Sequence, residues 1–229
     1  MPVTMKTEKE GLVWLLNKYD VPYTDEDIDA SVPLQPWRCT RKYVELRNLV
    51  KSGTVEHPCL LRFCHLTDSG TSLEDLLYRE FDLAEFITGQ KIAALHAAFT
   101  DGRSGSVIIR LDNGVVGSVE VGNQIPCGEP EVDRHEIVAR RGVASDIAVD
   151  TQIPQQSIYL FKTDGDEVYK DTDSELFGLS DLQIENVRAK FAFLKDRASK
   201  DAHLAQDAWI RKVVKAALES NETKKKITL

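Results

Sequence analysis

Residues 91–122 read KIAALHAAFTDGRSGSVIIRLDNGVVGSVEVG. Three short runs, "KIAALHAAF", "GSVIIRL" and "VVGSVEVG", are rich in β-branched and small apolar residues and are parted by "TDGRSG" and "DNG". Turn residues between apolar runs of this length predict strands joined by hairpins, and "LDNGVV" is the stronger of the two turn signals. In "KIAALHAAF" both alternating sets, Ala93/Leu95/Ala97/Phe99 and Ile92/Ala94/His96/Ala98, are largely apolar. An antiparallel strand with one wet face alternates apolar with polar residues, so this pattern predicts a sheet covered on both sides. Helices would cover one face and a second copy of the chain the other.

Working outward, "PCLLRFCHL" precedes this block and "RHEIVAR", "SDIAVD" and "SIYLF" follow it, all short and strand-like. "RHE" around His135 reads as alternation along an exposed strand. Helical periodicity flanks the strands. Residues 6–19 place Leu12, Leu15, Leu16 and Tyr19 on one face with Thr7 as cap, and residues 40–53 point Tyr43, Leu46, Leu49 and Val50 inward with Gly53 as stop. A single helix around residues 74–89 interrupts the strands, and two more follow residue 178. Strands in one block with helices at both ends predict an α+β fold, a large, mainly antiparallel open sheet backed by helices. The expected organisation is one domain over residues 1–229: a helical lead-in (1–53), the sheet with its inserted helix (54–165) and C-terminal helices (174–229).

Composition narrows the function. The chain has 229 residues, a net charge of −8 and a pI near 5.2. Such a surface repels phosphate backbones and anionic lipid, which argues against nucleic acid and membrane as partners. The opening "MPVTMKTEKEG" has no apolar signal core, and the four cysteines have no paired spacing, which points to a reducing cytoplasm. The five histidines form no HxH or HxxxH pair, so no metal is expected. No strand is followed by a glycine fingerprint, a phosphate loop or a nucleophile elbow. His65, at the end of a strand and just before the polar loop "TDSGTS", is placed to bind a ligand.

The inserted helix carries the remaining question. In "EDLLYREFD", residues 74–82, Asp75, Arg79 and Asp82 follow at spacings of four and three and share one helical face. On their own they read as a partly exposed ion-pair ladder, worth ~0.2–0.5 kcal/mol per pair.

The wider context resembles the C-terminal part of the glucose–fructose oxidoreductase/inositol dehydrogenase (Gfo/Idh/MocA) family, NAD(P)-dependent enzymes acting on sugars and cyclitols. "PVTMKTEKEGLVWLL" resembles the stretch after that family's Glu-Lys-Pro motif. "WRCTRKYVELRNLVKSGTVEHP" resembles its arginine, helix and turn, with Arg38 in the arginine slot. "LEDLLYREFDLAEFITGQK" resembles its D-x-x-x-H-x-x-D-x-x-x-x-x-x-G helix, with Asp75, Asp82 and Gly89 in place, and "DAWIRKVVKAALESNETKKKITL" resembles its usual ending. Two departures stand out: Met1 takes the motif's lysine slot, and the histidine that accepts the hydroxyl proton corresponds to Arg79. An arginine, with a pKa above ~12, cannot accept a proton at neutral pH, although it can donate a fork of hydrogen bonds to a carboxylate or to hydroxyls.

The resemblance therefore implies a substrate-binding and oligomerisation domain for a sugar, sugar acid or cyclitol. Asp75 and Arg79 would hold the catalytic slots, with Arg38, His65 and Asp82 around the substrate. The family's N-terminal Rossmann half is missing from the sequence, so no cofactor is expected on this chain alone. NAD(P) would come with a Rossmann-domain partner chain or from residues upstream. The alternative is a non-catalytic sugar-binding or scaffold homo-oligomer derived from the family.

Overall fold

The computed structural model describes residues 5–146, 157–162, 165–170, 175–176 and 178–229. The chain divides into two compact units, Met1–Thr40 with Thr172–Ala208, and Arg41–Asp171 with Trp209–Leu229.

The first unit is helical. Helix α1 (Glu8–Lys18) starts where the Thr7 hydroxyl accepts from Glu10 N, and helix α2 (Asp25–Asp29) starts at a capping box between Thr24 and Asp27. A one-turn 3-10 helix (Pro36–Cys39) follows. Helix α5 (Asp181–Lys195) opens on a second capping box, Ser180 with Gln183. Leu12, Leu15, Leu16, Val187, Phe193 and Leu194 form the core of this unit. Contrary to the periodicity, Tyr19 does not join the buried Leu12 face. It caps α1, is 46% exposed and donates its hydroxyl to Glu175 Oε1 at 2.6 Å.

The second unit holds helix α3 (Arg41–Lys51) and the sheet. Strand β1 (Pro58–Leu66) leads into helix α4 (Leu73–Thr88), which crosses over to β2 (Ile92–Thr100). A meander of β2, β3 (Ser104–Leu111) and β4 (Val116–Gly122) then returns to lie beside β1. The β1–β4 pair is parallel, as a helical crossover allows. On the other side of β1 run β5 (Val132–Ala139), β6 (Gly142–Ser145), β7 (Ser157–Lys162) and β8 (Gly165–Lys170), all antiparallel. Helix α6 (Lys200–Thr223) begins in the first unit and ends in the second, and β9 (Ile227–Thr228) pairs with the edge of β2. The strand order is β8-β7-β6-β5-β1-β4-β3-β2-β9, an α+β fold with a mainly antiparallel open sheet backed by helices. Of the expected strand "SDIAVD", residues 147–150 lie outside the described residues.

The β3–β4 turn forms as "DNG" predicts, with Gly114 at φ +88° and its N–H donating to Leu111 O at 2.9 Å. On the inner face of the sheet Leu61, Phe63, Val107, Ile109, Val119 and Ile137 are buried. Helix α4 is buried almost all round, with Leu76, Leu77, Phe81, Leu83, Ala84 and Ile87 all at 0% exposure. The outer face carries Arg62, Arg110, Glu120 and Arg134 and is open to solvent in the single chain. The two-sided pattern of β2 has a local cause. Its register shifts between Ile92 and Ala94, so Ile92 before the shift and Leu95 and Ala97 beyond it, members of opposite alternating sets, are all buried, while His96 and Ala98 face out.

Candidate functional site

The crossover decides where α4 aims its polar residues. Ser72 caps the helix by accepting from Asp75 N at 3.1 Å, and Gly89, at φ +68°, ends it. Between these stops, Arg79 and Glu80 point at β1 and β5, the adjacent pair in which Phe63 faces His135 and His65 faces Asp133. Helix α3 adds Lys42 and Tyr43, and Asp146 follows the end of β6.

Arg79 lies at the centre of this cluster. Its Nη1 donates to Glu80 Oε1 at 2.6 Å, to Asp133 Oδ1 at 3.1 Å and to His65 Nδ1 at 3.0 Å. Its Nη2 donates to Asp133 Oδ2 at 3.1 Å and to the Tyr43 hydroxyl at 2.5 Å. The Asp133 contact is the two-pronged guanidinium–carboxylate fork. Asp133 Oδ2 also accepts from Lys42 Nζ at 2.8 Å and from Tyr43 Oη at 2.9 Å, and Lys42 reaches Asp146 Oδ2 at 3.2 Å.

His135 is completely buried, not on an exposed strand surface as "RHE" suggests. Its Nε2 lies 2.9 Å from Glu80 Oε2 and its Nδ1 lies 3.1 Å from Asp146 Oδ2. Ionised carboxylates only accept, so both ring nitrogens carry protons and the ring is an imidazolium. Tyr43 and Phe63 pack edge-on against it, each at 4.8 Å. His65 is the opposite case. Because a guanidinium only donates, its Nδ1 must be unprotonated, and the neutral ring presents Nε2–H toward Glu131, 3.6 Å away.

The pKa shifts follow these contacts. Burial works against the charge on His135, but Glu80 and Asp133 outweigh it and raise the pKa to about 9. Burial alone would raise Glu80 and Asp133; His135 and Arg79 hold Glu80 below its usual value, and Arg79, His135 and Lys42 hold Asp133 well below its own. Burial and the Arg79 charge lower His65 and keep it neutral. Burial pushes the Tyr43 phenol well up.

Glu80, Asp133 and His135 also have the proximity of a cation-binding trio, with one ligand atom of each within 4.8 Å of the others. Those atoms already accept from Arg79, Lys42 and Tyr43 or lie on the imidazolium. A metal would have to displace built-in cations, so the group functions as an ion-pair lattice. Gly102, Gly105, Gly114 and Gly117 lie in or beside the β-hairpins.

The expected site residues are therefore distributed as follows. Arg79 and His65 meet within the cluster. Asp75, on the exposed first turn of α4, keeps to the cap, its Oδ2 accepting from Ser72 Oγ at 2.6 Å. Asp82 is fully buried in α4. Arg38 lies in the 3-10 helix of the first unit. The predicted ladder does not form, because Arg79 pairs with Glu80 and Asp133 instead.

The α+β architecture, a crossover helix on a mainly antiparallel open sheet, agrees with the resemblance read from the sequence at the level of the fold. No family profile and no curated protein matches the chain. Solved structures do. Levoglucosan dehydrogenase in complex with NADH and levoglucosan superposes with a TM-score of 0.70 at 15% identity, covering 86% of this chain and 66% of its own. An oxidoreductase domain protein from Kribbella flavida gives 0.69 at 14% identity, covering 85% and 65%. An oxidoreductase from Agrobacterium radiobacter in complex with NAD+, L-tartaric acid and magnesium gives 0.67 at 16% identity, covering 97% and 70%. The chain spans less than two thirds of the first two proteins' length. Among the described residues, no helix is long and apolar enough to cross a membrane.

Proposed function

We propose that this chain is the substrate-binding and assembly half of a cytoplasmic Gfo/Idh/MocA-like oxidoreductase for a sugar, sugar acid or cyclitol, and that a Rossmann domain from elsewhere brings the nicotinamide. The observation that carries this reading is the position of the polar cluster. Arg79, in the slot of the family's proton acceptor, sits on the crossover helix beside His65 at the end of β1, with some solvent access. Solved structures of this fold hold NADH with levoglucosan and NAD+ with L-tartaric acid, which supports a nicotinamide and a polyhydroxy ligand as the reactants. The outer face of the sheet serves as the surface for homo-oligomerisation.

A second reading, a non-catalytic sugar-binding or scaffold protein, has its own observation. Arg79 cannot take a proton, and its guanidinium is already committed to Glu80 and Asp133. Two titrations test the proposal. Isothermal titration with NAD+ and NADP+ should detect no binding to this chain alone, and micromolar affinity for either would contradict the proposal that a Rossmann domain from elsewhere brings the nicotinamide. Titration with sugars, cyclitols and sugar acids should perturb the His65 and Arg79 signals in NMR spectra. If none does, the site is not a ligand site.

A further inference from the structure

We infer that the end of α6 and β9 lock the outer edge of β2, and that the edge they cover is a strand-pairing site for a second copy of this chain. The inference goes beyond the proposed function and does not depend on the polar cluster.

Strand β2 is the last long strand on its side of the sheet, with only β9 beyond it. Its nine residues, IAALHAAFT, include no Lys, Arg, Asp, Glu or Pro. Charges and prolines are what make an edge unwelcome to another strand, and a long, uncharged, apolar edge is a template for pairing between chains. From Ala94 to Thr100 the register with β3 runs without a break, so no bulge turns this length of edge aside. Protection has to come from elsewhere in the chain.

In an antiparallel ladder alternate residues address opposite neighbours, so β2 turns backbone groups away from β3 at every second residue. Leu229 N donates to one of these groups, Ala93 O, at 3.0 Å, and β9 pairs with Ala94 and Leu95. Past Leu95 the last turns of α6 take over. Ala97 N donates to Ser220 Oγ at 3.0 Å, and Phe99 N donates to Asn221 Oδ1 at 2.8 Å. The Ser220 hydroxyl donates in turn to Lys225 O at 2.6 Å, which ties the end of α6 to the segment leading into β9. Ser220 and Ala97 are fully buried. Two side-chain oxygens thus stand where the carbonyls of a neighbouring strand would stand.

A second β2, brought up antiparallel, would supply carbonyls at the same two-residue repeat, and neither strand carries a charge to repel the other. The lock is smaller than the pairing it prevents: a two-residue strand and two side-chain acceptors cover a nine-residue strand. Lys224, Lys225 and Lys226 stand exposed next to it, and two such runs would face each other when two edges approach. With this edge closed, the homo-oligomer proposed above is left to the face of the sheet.

The test compares the whole chain with the double variant Ser220→Ala, Asn221→Leu, by amide hydrogen exchange in NMR spectra and by light scattering over a micromolar concentration series. At the dilute end, the Ala97 and Phe99 amides should exchange at least about tenfold faster in the variant than in the parent. With rising concentration its mass should climb to at least twice that of the parent, and both amides should become protected again. Asn221→Asp keeps an acceptor for Phe99 N and should match the parent in both measurements. Ile227→Pro unseats β9 by a separate route and should give the same gain in mass, which decides the matter if the double variant does not fold. Parent-like exchange at Ala97 and Phe99 in the folded double variant overturns the lock. Parent-like mass throughout, or a gain in mass that leaves those two amides unprotected, overturns the strand-pairing site. None of these residues belongs to the polar cluster, so either failure leaves the proposed function standing.

Discussion

Removing Arg79 would leave Glu80 and Asp133 facing each other without the cation that joins them. Breaking a buried pair from one side costs about 3–5 kcal/mol, against under ~1 for the exposed ladder that the helix spacing suggests. Arg79→Ala should therefore lower the unfolding free energy by several kcal/mol in urea titration; a loss under ~1 kcal/mol would return the residue to the surface. His135 gives a second prediction, with its sign fixed by linkage. Its folded pKa, about 9, lies above the unfolded value of 6.5. The stabilisation it provides is then complete below about pH 6.5 and is lost as pH rises through about 9. Glu80 and Asp133 are shifted downward, so their contribution is present above their unfolded values and fades as pH falls through the lower folded ones. Melting temperature should fall between about pH 7 and 9.5, and His135→Gln should flatten that limb; a flat limb in the parent protein would contradict the imidazolium. A sign of this cluster was present in the sequence. Asp133, His135 and Ile137 alternate along one strand, and the apolar Ile137 marks their shared face as the inner one. Lys42, Tyr43 and Asp146 gave no such sign, because only the strand order brings such distant positions together.

At the scale of elements, local rules carried most of the fold. The β3–β4 turn sits on Gly114 and "KIAALHAAF" is a strand, as turn chemistry and composition predict, and α4 (Leu73–Thr88, capped by Ser72 and Gly89) lies where a helix is expected around residues 74–89. The pieces that local rules missed depend on long-range pairing. Strand β9 is two residues in a lysine-rich tail; it exists because Thr228 and Ile227 add to the edge of β2 and Leu229 N donates to Ala93 O at 3.0 Å. Residue type also matters where strands approach closely. A Cβ on Gly105 would lie 2.1 Å from Ala98 O and 2.7 Å from Phe99 Cα, both backbone atoms of the paired strand. Gly105→Ala should therefore force β2 and β3 apart and cost at least the ~1–3 kcal/mol of an overpacked core, read by thermal melting. On Gly117 the added Cβ would instead meet side-chain atoms of the core, Ile109 Cγ1 at 2.9 Å and Leu61 Cβ at 3.2 Å, so Gly117→Ala, overpacked but clear of the paired backbone, should cost less. Equal losses at the two sites would show that strand spacing is not what selects glycine at 105.

At the scale of the whole molecule, the sheet of the second unit leaves its outer face uncovered. One row crosses five strands as Glu136, Arg62, Ser118, Ile108 and His96. Arg62 and Glu136 pair at 3.0 Å at one end, while Ile108, 49% exposed, stands between a serine and a histidine on its neighbours. In the homo-oligomer proposed above, Ile108 is the apolar side chain on this row that a contact between two copies would bury. In a two-fold assembly every residue of the patch serves both partners, so a single substitution acts twice. Light scattering after size exclusion should give at least twice the 25.7 kDa of one chain. Ile108→Lys should return it to one chain, since a two-fold interface would have to bury both added ammonium groups without a partner. Because Ile108 is exposed in the single chain, the same substitution should leave its fold within ~0.5 kcal/mol of the parent. A parent protein that runs as a clean monomer at micromolar concentration would overturn the assembly. A dimer that survives Ile108→Lys would move it away from this face of the sheet.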